Sequence, residues 1–219
     1  MKVLGVLGGG DLSKEKLLRW AQTADYVLAA DGGANAFLHT PVRPDLVVGD
    51  FDSVLPEALL HAKRHSQSED QHTTDCDKLF AEAQELGFHA ITVTCFEGDD
   101  LAHVLATVHS AMRSKLDVRL LGRRSLSYVV HPGTVSIEVK SGAKIGVIPL
   151  LPCEHVSVTG VKWPLNKVAM TPGGLTSISN VADGGRVSLS LASGIALLVQ
   201  ESDEEAAPTW EEIAVERAK

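Results

Sequence analysis

The feature of this 219-residue chain that most constrains its fold is a change of hydrophobic period near residue 123. Up to about residue 122, short apolar runs alternate with segments in which apolar residues recur every three or four positions. This alternation is typical of parallel strands joined by crossover helices. The apolar runs predict five strands, at residues 3–7, 26–30, 46–48, 91–96 and 118–121. We therefore predict an α/β domain with a parallel sheet over residues 1–123.

Helix starts can be read from the polar residues that precede the helical segments. Ser13 and Thr74 each stand just before an apolar pattern of three- and four-residue steps, so both are predicted N-caps. Asp77, three residues after Thr74, can complete a capping box. A further helical pattern begins at Leu101.

The second half of the chain has strand period instead. Residues 136–139 and 187–191 alternate apolar and polar side chains, and residues 195–199 form an apolar run typical of a buried strand. Gly, Pro and Asn, which favour turns, lie between these segments. This pattern predicts an all-β sandwich or barrel-like domain over residues 124–200. Residues 201–219 begin with an acidic stretch and are predicted to be an acidic C-terminal tail, either frayed or ending in a short helix.

Composition excludes several classes of protein. The 28 acidic and 20 basic residues argue against nucleic acid as a partner. Three cysteines without paired spacing indicate neither a zinc site nor a disulfide framework. The chain reaches glycines and Asp11 too early for a signal peptide, and its apolar runs fall short of the roughly 18 residues of a membrane span. We predict a cytoplasmic protein that binds no membrane.

Two carboxylates follow the third predicted strand, in Gly49-Asp50-Phe51-Asp52-Ser53. If the chain is extended there, Asp50 and Asp52 point the same way, into the crevice at the carboxyl ends of the parallel strands. Carboxylate pairs of this kind suit Mg²⁺ together with phosphate oxygens. For an isolated Asp-x-Asp, a simple polar turn is the alternative.

Two further segments place an aspartate where a strand ends or a helix begins. Asp31 ends the second strand and is followed by Gly32 and Gly33, which allow the backbone to approach a ligand closely before a helix starts. In the third segment Asp75 and Lys78 lie on one face of the first turn after Thr74. Taken alone, each segment also fits an ordinary turn or helix start.

Four aspartates are thus predicted at one edge of the sheet: Asp31, Asp50, Asp52 and Asp75. Clustered carboxylates raise one another's pKa unless a cation neutralises them, so a site for a metal ion and phosphates is the more economical reading. Gly8-Gly9-Gly10 lacks the spacing of a dinucleotide fingerprint, and no Walker A lysine motif is present. His61 and His65, four residues apart, read as a solvated helix face.

Together these motifs resemble the thiamine pyrophosphokinase family. The matching text, in the family's order, is Asp31-Gly32-Gly33-Ala34-Asn35, Pro44-Asp45, Gly49-Asp50-Phe51-Asp52-Ser53, Asp70-Gln71, Thr74-Asp75 and Lys78, followed by Gly160-Val161-Lys162-Trp163-Pro164-Leu165 and Ser179-Asn180. The resemblance spans roughly residues 1 to 200. The Gly-Asp-Phe-Asp-Ser block is its most specific part.

The resemblance implies a magnesium-dependent transfer of pyrophosphate from ATP to the thiamine hydroxyl, which yields thiamine diphosphate and AMP. It also implies a homodimer with thiamine sites near the subunit interface. The implied catalytic residues are Asp31, Asp50, Asp52 and Asp75, of which Asp50, Asp52 and Asp75 would be the metal ligands. The implied ATP-binding residues are Gly32, Gly33, Ser53, Gln71, Thr74 and Lys78. Ser179 and Asn180 are the implied thiamine-binding residues.

One block departs from the family. Where the family usually has Gly-Gly-Arg-x-Asp-His, this chain has Gly98-Asp99-Asp100-Leu101-Ala102-His103. An aspartate at the arginine position would weaken polyphosphate binding unless Arg123, Arg124 or a second metal compensates. Two alternatives follow: a pyrophosphokinase acting on another hydroxymethyl heterocycle, and a degenerate sensor that binds nucleotide or thiamine without turnover.

Overall fold

The structure, a computed structural model, describes residues 1–70, 72–98, 100–210 and 214–217. It forms two compact units. The first consists of residues 1–124 and 203–209, and the second contains residues 125–202, residue 210 and residues 214–217. The roles predicted for the two halves, ATP binding and thiamine binding, remain predictions at this point.

The first unit is built on a parallel sheet, as predicted. Its strands are β1 (Val3–Val6), β2 (Tyr26–Ala30), β3 (Leu46–Gly49), β4 (His65–Gln67), β5 (Ala90–Thr94) and β6 (Asp117–Leu121). Their order in space is β6-β5-β1-β2-β3-β4, and each neighbouring pair is parallel. Strands β1, β2 and β3 are buried along nearly their whole length, which explains their unbroken apolar sequence.

Helices connect these strands, and their starts confirm the capping predictions. The α-helices are α1 (Lys14–Thr23), α2 (Pro56–His61), α3 (Asp75–Glu85) and α4 (Leu101–Arg113), and a 3-10 helix spans Asp31–Phe37. The Ser13 side chain accepts a hydrogen bond from the Lys16 amide, and Thr74 forms a capping box with Asp77.

The interpretation of His61 and His65 as one helix face is wrong. His61 ends α2, whereas His65 begins β4, and the His61 Nε2 atom lies 2.8 Å from the carbonyl oxygen of Val42. The chain changes from helix to strand between the two histidines, so their four-residue spacing does not place them on one surface.

The second unit contains two sets of antiparallel strands, in agreement with the predicted β-rich domain. Its strands are β7 (Ser125–Val130), β8 (Gly133–Val139), β9 (Lys144–Pro149), β10 (Cys153–Thr159), β11 (Leu165–Met170), β12 (Ser177–Val181), β13 (Gly185–Leu191), β14 (Ala196–Glu201) and β15 (Ala214–Arg217). In one set the neighbouring strands follow the order β12-β9-β14-β7. The other set is a five-stranded sheet with the order β11-β10-β13-β8-β15. Alternate side chains of β13 are buried, as its sequence period predicts.

The stretch predicted as an acidic tail has defined neighbours in both units. In the first unit, Glu204 accepts a hydrogen bond from the Ser13 hydroxyl, and the Thr209 carbonyl accepts one from Arg119 at 3.2 Å. In the second unit, β15 pairs with β8. A strand therefore forms where the sequence left a short helix or a frayed end open.

Among the described residues, no helix is long and apolar enough to cross a membrane.

Candidate active site

Asp31 organises the loop that carries the other carboxylates. It follows β2 directly as the first residue of the 3-10 helix, has a left-handed conformation with φ 42°, and is fully buried. Its Oδ2 accepts the Phe51 amide at 3.1 Å and its Oδ1 the Ser53 amide at 3.3 Å. A side chain at Gly49 would lie 2.9 Å from the Asp31 Cβ, so glycine is required there. Asp31 thus fixes the loop after β3 from within the core.

Asp50 and Asp52 come together by a turn rather than by an extended chain. Phe51 between them has φ 68°, which is left-handed, so the predicted extended geometry is wrong. The two side chains nevertheless converge, because carboxylate oxygens of Asp31, Asp50 and Asp52 all lie within 4.8 Å of one another. Such a cluster of oxygen donors suits a hard divalent cation.

The first turn of α3 brings a cation to this cluster. Lys78 is buried, and its Nζ lies 3.5 Å from Asp75 Oδ1 and 3.8 Å from Asp50 Oδ2. Asp75 is therefore linked to the cluster through Lys78, while the three mutually close carboxylates are those of Asp31, Asp50 and Asp52. The predicted neighbours Asp75 and Lys78 do lie side by side.

Two of the four aspartates, Asp31 and Asp75, have a raised pKa, and burial is the largest cause for both. Burial raises the pKa of Asp31, and a hydrogen bond shared with the Asp50 carboxyl raises it further. Burial also raises the pKa of Asp75, against the opposing effect of Lys78. A divalent cation would relieve this repulsion, since it favours the ionised form of every carboxylate nearby.

A cleft of about 550 Å³ opens beside the cluster and is large enough for a nucleotide-sized ligand. Its lining includes backbone from Gly8, Gly9 and Gly32 and the polar side chains of Ser53 and Thr74. The lining also includes Asp50, Asp75 and Lys78. The glycine run after β1, which the sequence marked only as weak support, therefore forms part of the wall.

Of the predicted ATP-binding residues, Thr74 and Lys78 line the cleft, and the other four fall into three groups. Gly32 and Ser53 face each other, because the Gly32 amide donates to the Ser53 hydroxyl at 3.2 Å. Gly33 is buried, and a side chain there would meet the Val6 carbonyl oxygen at 2.3 Å, so its lack of a side chain serves packing. Gln71 lies outside the described residues.

Several cleft residues were not predicted as site residues. Asn35 donates to the Ser53 carbonyl at 3.0 Å and accepts from the Leu55 amide at 2.8 Å, so it holds the loop after β3. It stands within the quoted Asp31–Asn35 motif, which was the signal available. Thr107 is buried on α4 and lines the cleft, and nothing in the sequence separates it from ordinary helix residues.

Two cysteines also line the cleft but are not suited to nucleophilic chemistry. Burial raises the pKa of the Cys95 thiol to about 12 and also raises that of the Cys76 thiol. Both remain thiols at neutral pH, and the thiolate is the reactive form.

The block that departs from the family pattern has a clear local structure. Asp100 caps α4 by accepting the His103 amide at 3.0 Å, and its Oδ2 lies 3.4 Å from His103 Nδ1. His103 lines the cleft. The Arg123 amide donates to Glu97 at 2.7 Å, and neither Arg123 nor Arg124 is among the described residues that line the cleft. Asp99 lies outside the described residues.

The predicted thiamine-binding residues belong to the second unit and differ from each other. Ser179 is exposed, with a left-handed φ of 59°. Asn180 is buried, and its side chain accepts the Trp163 amide at 3.1 Å and donates to the Trp163 carbonyl at 2.7 Å. Ser179 is therefore available to a ligand, whereas the Asn180 amide is committed to holding the segment that precedes β11.

Comparisons with known proteins point to one family. A family model described as thiamin pyrophosphokinase, catalytic domain, matches residues 17–120. A second, described as thiamin pyrophosphokinase, vitamin B1 binding domain, matches residues 133–196. Together the two matches take in most of the chain.

Individual relatives agree with these matches. The chain is 24% identical over 214 residues to thiamine pyrophosphokinase of Bacillus subtilis (strain 168), covering 93% of this chain and 100% of the relative. It is 29% identical over 187 residues to thiamine pyrophosphokinase 2 of Arabidopsis thaliana, covering 70% of each.

Solved structures share the fold. A thiamin pyrophosphokinase family protein from Enterococcus faecalis superposes with a TM-score of 0.78 at 21% identity, covering 93% of this chain and 100% of that one. Thiamin pyrophosphokinase from Geobacillus thermodenitrificans gives 0.77 at 23% identity, covering 95% and 100%.

Proposed function

We propose that the chain, which belongs to the thiamine pyrophosphokinase family, transfers pyrophosphate from ATP to the hydroxyl of thiamine and releases AMP. The observation that carries this proposal is the convergence of Asp31, Asp50 and Asp52 beside a cleft that also contains Lys78. A divalent cation would favour the ionised form of these carboxylates, and a glycine-lined cleft next to them accommodates a phosphate chain.

Mg²⁺ fits the donor set. We assign Asp50 and Asp52 as its ligands, because both belong to the carboxylate cluster. We assign Asp75 as a third ligand, because it lines the cleft together with Asp50. Asp31 completes the cluster and holds the loop through its bonds to the Phe51 and Ser53 amides. When bound, the ion would neutralise charge on the triphosphate and help to orient it.

The chain's own residues position the reactants. The backbone of Gly8, Gly9 and Gly32 leaves room for the phosphates, and Lys78 supplies a positive charge beside them. In the reaction the thiamine hydroxyl oxygen bonds to the β-phosphorus, and the bridging bond to the α-phosphate breaks as AMP leaves. The hydroxyl proton passes to a carboxylate that lines the cleft, Asp50 or Asp75. Positioning and charge neutralisation supply most of the rate enhancement in such transfers.

We further propose a cytoplasmic homodimer in which Ser179 contacts thiamine. Three free, buried cysteines are consistent with a reducing compartment. Ser179 directly follows Ile178, whose apolar side chain is 66% exposed, and exposed apolar surface can mark an interaction site.

Product analysis tests the reaction. Purified protein is incubated with ATP, Mg²⁺ and thiamine, and the products are separated by chromatography. We expect equal amounts of thiamine diphosphate and AMP, and a loss of at least about 100-fold in Asp52→Asn. Asp25→Asn is the matched control, because Asp25 lies at the opposite end of β2 and accepts the Lys2 amide at 2.7 Å. Full activity in folded Asp52→Asn would contradict the metal assignment.

A second candidate function keeps the chemistry and changes the acceptor. It is favoured by one observation: Asp100, at the family's arginine position, caps α4 next to the cleft-lining His103. Thermal denaturation with Mg²⁺, α,β-methylene ATP and a series of hydroxymethyl heterocycles distinguishes the two, because a preferred ligand stabilises the native state most. Stabilisation by thiamine alone would exclude the second candidate, and nucleotide binding with no turnover of any acceptor would indicate a sensor.

A further inference from the structure

A closed ring of hydrogen bonds joins the first turn of α3 to the last turns of α4. Arg113 donates to Asp77 Oδ1 at 2.9 Å and approaches the Ser110 hydroxyl at 3.5 Å. The Ser110 and Thr74 hydroxyls lie 3.3 Å apart, and the Thr74 hydroxyl donates to Asp77 Oδ2 at 2.9 Å. Arg113 donates to both of its neighbours in the ring, and Asp77 accepts from both of its own. The contact between the Ser110 and Thr74 hydroxyls closes the ring.

The ring reaches the proposed active site through one of its members. Of its four members, only Thr74 lines the cleft. Ser110 is 1% exposed, so its hydroxyl depends on partners within the protein. Asp77 accepts hydrogen bonds at both carboxylate oxygens, from Arg113 at Oδ1 and from Thr74 at Oδ2.

The same helical turn carries Asp75 and Lys78. The Thr74 hydroxyl accepts the Asp77 amide at 3.1 Å, and the Thr74 carbonyl accepts the Lys78 amide at 3.0 Å. The position of Thr74 therefore sets where the first turn of α3 begins, and with it the distance from Lys78 to Asp50. Helix ends fray unless their orphan amides are capped, so a cap braced from α4 restricts this motion.

We propose that Arg113 is a positioning residue for the pyrophosphate transfer, acting through Asp77 and Thr74 to hold Asp75 and Lys78 in place. The expected effect of Arg113 on turnover rests on the proposed function. The inference extends that function to a residue of α4 that does not line the cleft.

Arg113→Met tests the inference, with Arg113→Lys as the conservative variant. Arg186→Met is the matched control, because the Arg186 side chain is as exposed as that of Arg113 and pairs with Glu138 at 3.2 Å in the second unit. We expect Arg113→Met to lower kcat about tenfold with little change in the KM for thiamine, since small misplacements of reacting groups are costly. Arg113→Lys should recover part of this loss, and Arg186→Met should match the wild type.

Two readouts do not require turnover. Calorimetry with Mg²⁺ and α,β-methylene ATP should show that Arg113→Met lowers the nucleotide affinity about fivefold. In the Lys78→Met background, Arg113→Met should lower the affinity no further, because the effects of coupled residues are not additive. Hydrogen exchange of the ligand-free protein should show faster exchange at the Asp77 and Lys78 amides in Arg113→Met only.

The outcomes separate the inference from the proposed function. If the wild type binds nucleotide but forms no thiamine diphosphate, the proposed function is wrong. The affinities of the single and double variants and the hydrogen-exchange data would still decide the role of Arg113. Equal effects of Arg113→Met and Arg186→Met, or a full Arg113 effect on binding in the Lys78→Met background, would overturn the inference. Unchanged exchange at Asp77 and Lys78 would overturn it as well.

Discussion

Asp31 combines two demands that normally conflict. Its carboxylate is fully buried and holds the loop after β3 through two backbone amides, yet it shares a hydrogen bond with Asp50, so the pair resists full ionisation. Without a cation, Asp31 is therefore protonated in the folded protein at pH values at which the same carboxyl is still ionised in the unfolded chain. A buried carboxyl pair of this kind lowers the stability of the metal-free protein, but it keeps the carboxylates in place for a ligand.

The pH dependence of metal-free stability follows from that shift. The pKa of Asp31 is raised above its ordinary value of 3.8, so between pH 3.8 and the raised value the native state binds more protons than the unfolded state. The free energy of unfolding should then fall as pH rises through this window. We expect Asp50→Asn to weaken this dependence, because it removes the carboxyl partner of Asp31.

Thermal denaturation in EDTA from pH 4 to pH 7.5 measures the effect, with Asp25→Asn as the control that should retain the wild-type slope. Excess Mg²⁺ should flatten the wild-type curve at its upper end, since the ion binds the ionised carboxylates. An identical pH slope in wild type and Asp50→Asn would contradict the proposed coupling.

Three of the four aspartates predicted at one edge of the sheet, Asp31, Asp50 and Asp52, lie mutually close, but the sequence did not predict how they meet. Strand ends are visible in the apolar runs, so Asp31 and Asp50 could be placed at one edge of the sheet. The left-handed φ of Phe51 could not be predicted, because it accompanies hydrogen bonds from the amides of Phe51 and Ser53 to Asp31, about 20 residues earlier in the chain. Such a tertiary constraint leaves no local pattern.

At the scale of elements, the sequence was most informative where capping chemistry is local. Ser13 and Thr74 cap their helices through bonds to residues three positions ahead, which sequence spacing encodes. Strand β4 was missed because its exposed polar residues show no apolar run, and its described partner is β3 alone. Strand β15 was missed for a related reason: only pairing with β8 defines it.

Strand β12 carries two adjacent residues with separable roles. Asn180 joins β12 to the segment before β11 by two bonds to the Trp163 backbone. Removing the amide in Asn180→Ala takes away the partner of the part-buried Trp163 amide and carbonyl, so we expect a loss of about 1 to 3 kcal/mol in the free energy of unfolding. Ser179→Ala removes an exposed hydroxyl and should change stability by less than about 0.5 kcal/mol.

Urea denaturation and thiamine kinetics together check this contrast. We expect Ser179→Ala to raise the KM for thiamine several-fold in a protein of normal stability, and Asn180→Ala to act mainly through stability. If Asn180→Ala unfolds like the wild type while losing thiamine binding, Asn180 contacts the substrate directly, as the family resemblance first implied.

For the whole molecule, the sequence predicted the order of an α/β part followed by a β-rich part, because the hydrophobic period changes along the chain. Assembly is a different matter, since no periodicity reports which exposed surfaces meet another subunit. The second unit exposes Trp163 at 55%, Leu175 at 48% and Ile178 at 66%, and the last of these is next to Ser179. The proposed homodimer and the proposed thiamine site therefore draw on the same part of the chain.

Ile178→Glu tests whether they are linked. A buried carboxylate without a partner is costly at an apolar interface, so we expect the variant to be monomeric in light scattering at concentrations where the wild type is dimeric. Leu60→Glu is the matched control, because Leu60 is 83% exposed on α2 of the first unit and should leave the dimer intact. If thiamine sites form near the subunit interface, Ile178→Glu should also raise the KM for thiamine while Mg²⁺-dependent binding of α,β-methylene ATP persists. A dimeric Ile178→Glu with normal kinetics would remove Ile178 from the interface, and a monomeric variant with normal kinetics would show that thiamine binding needs only one subunit.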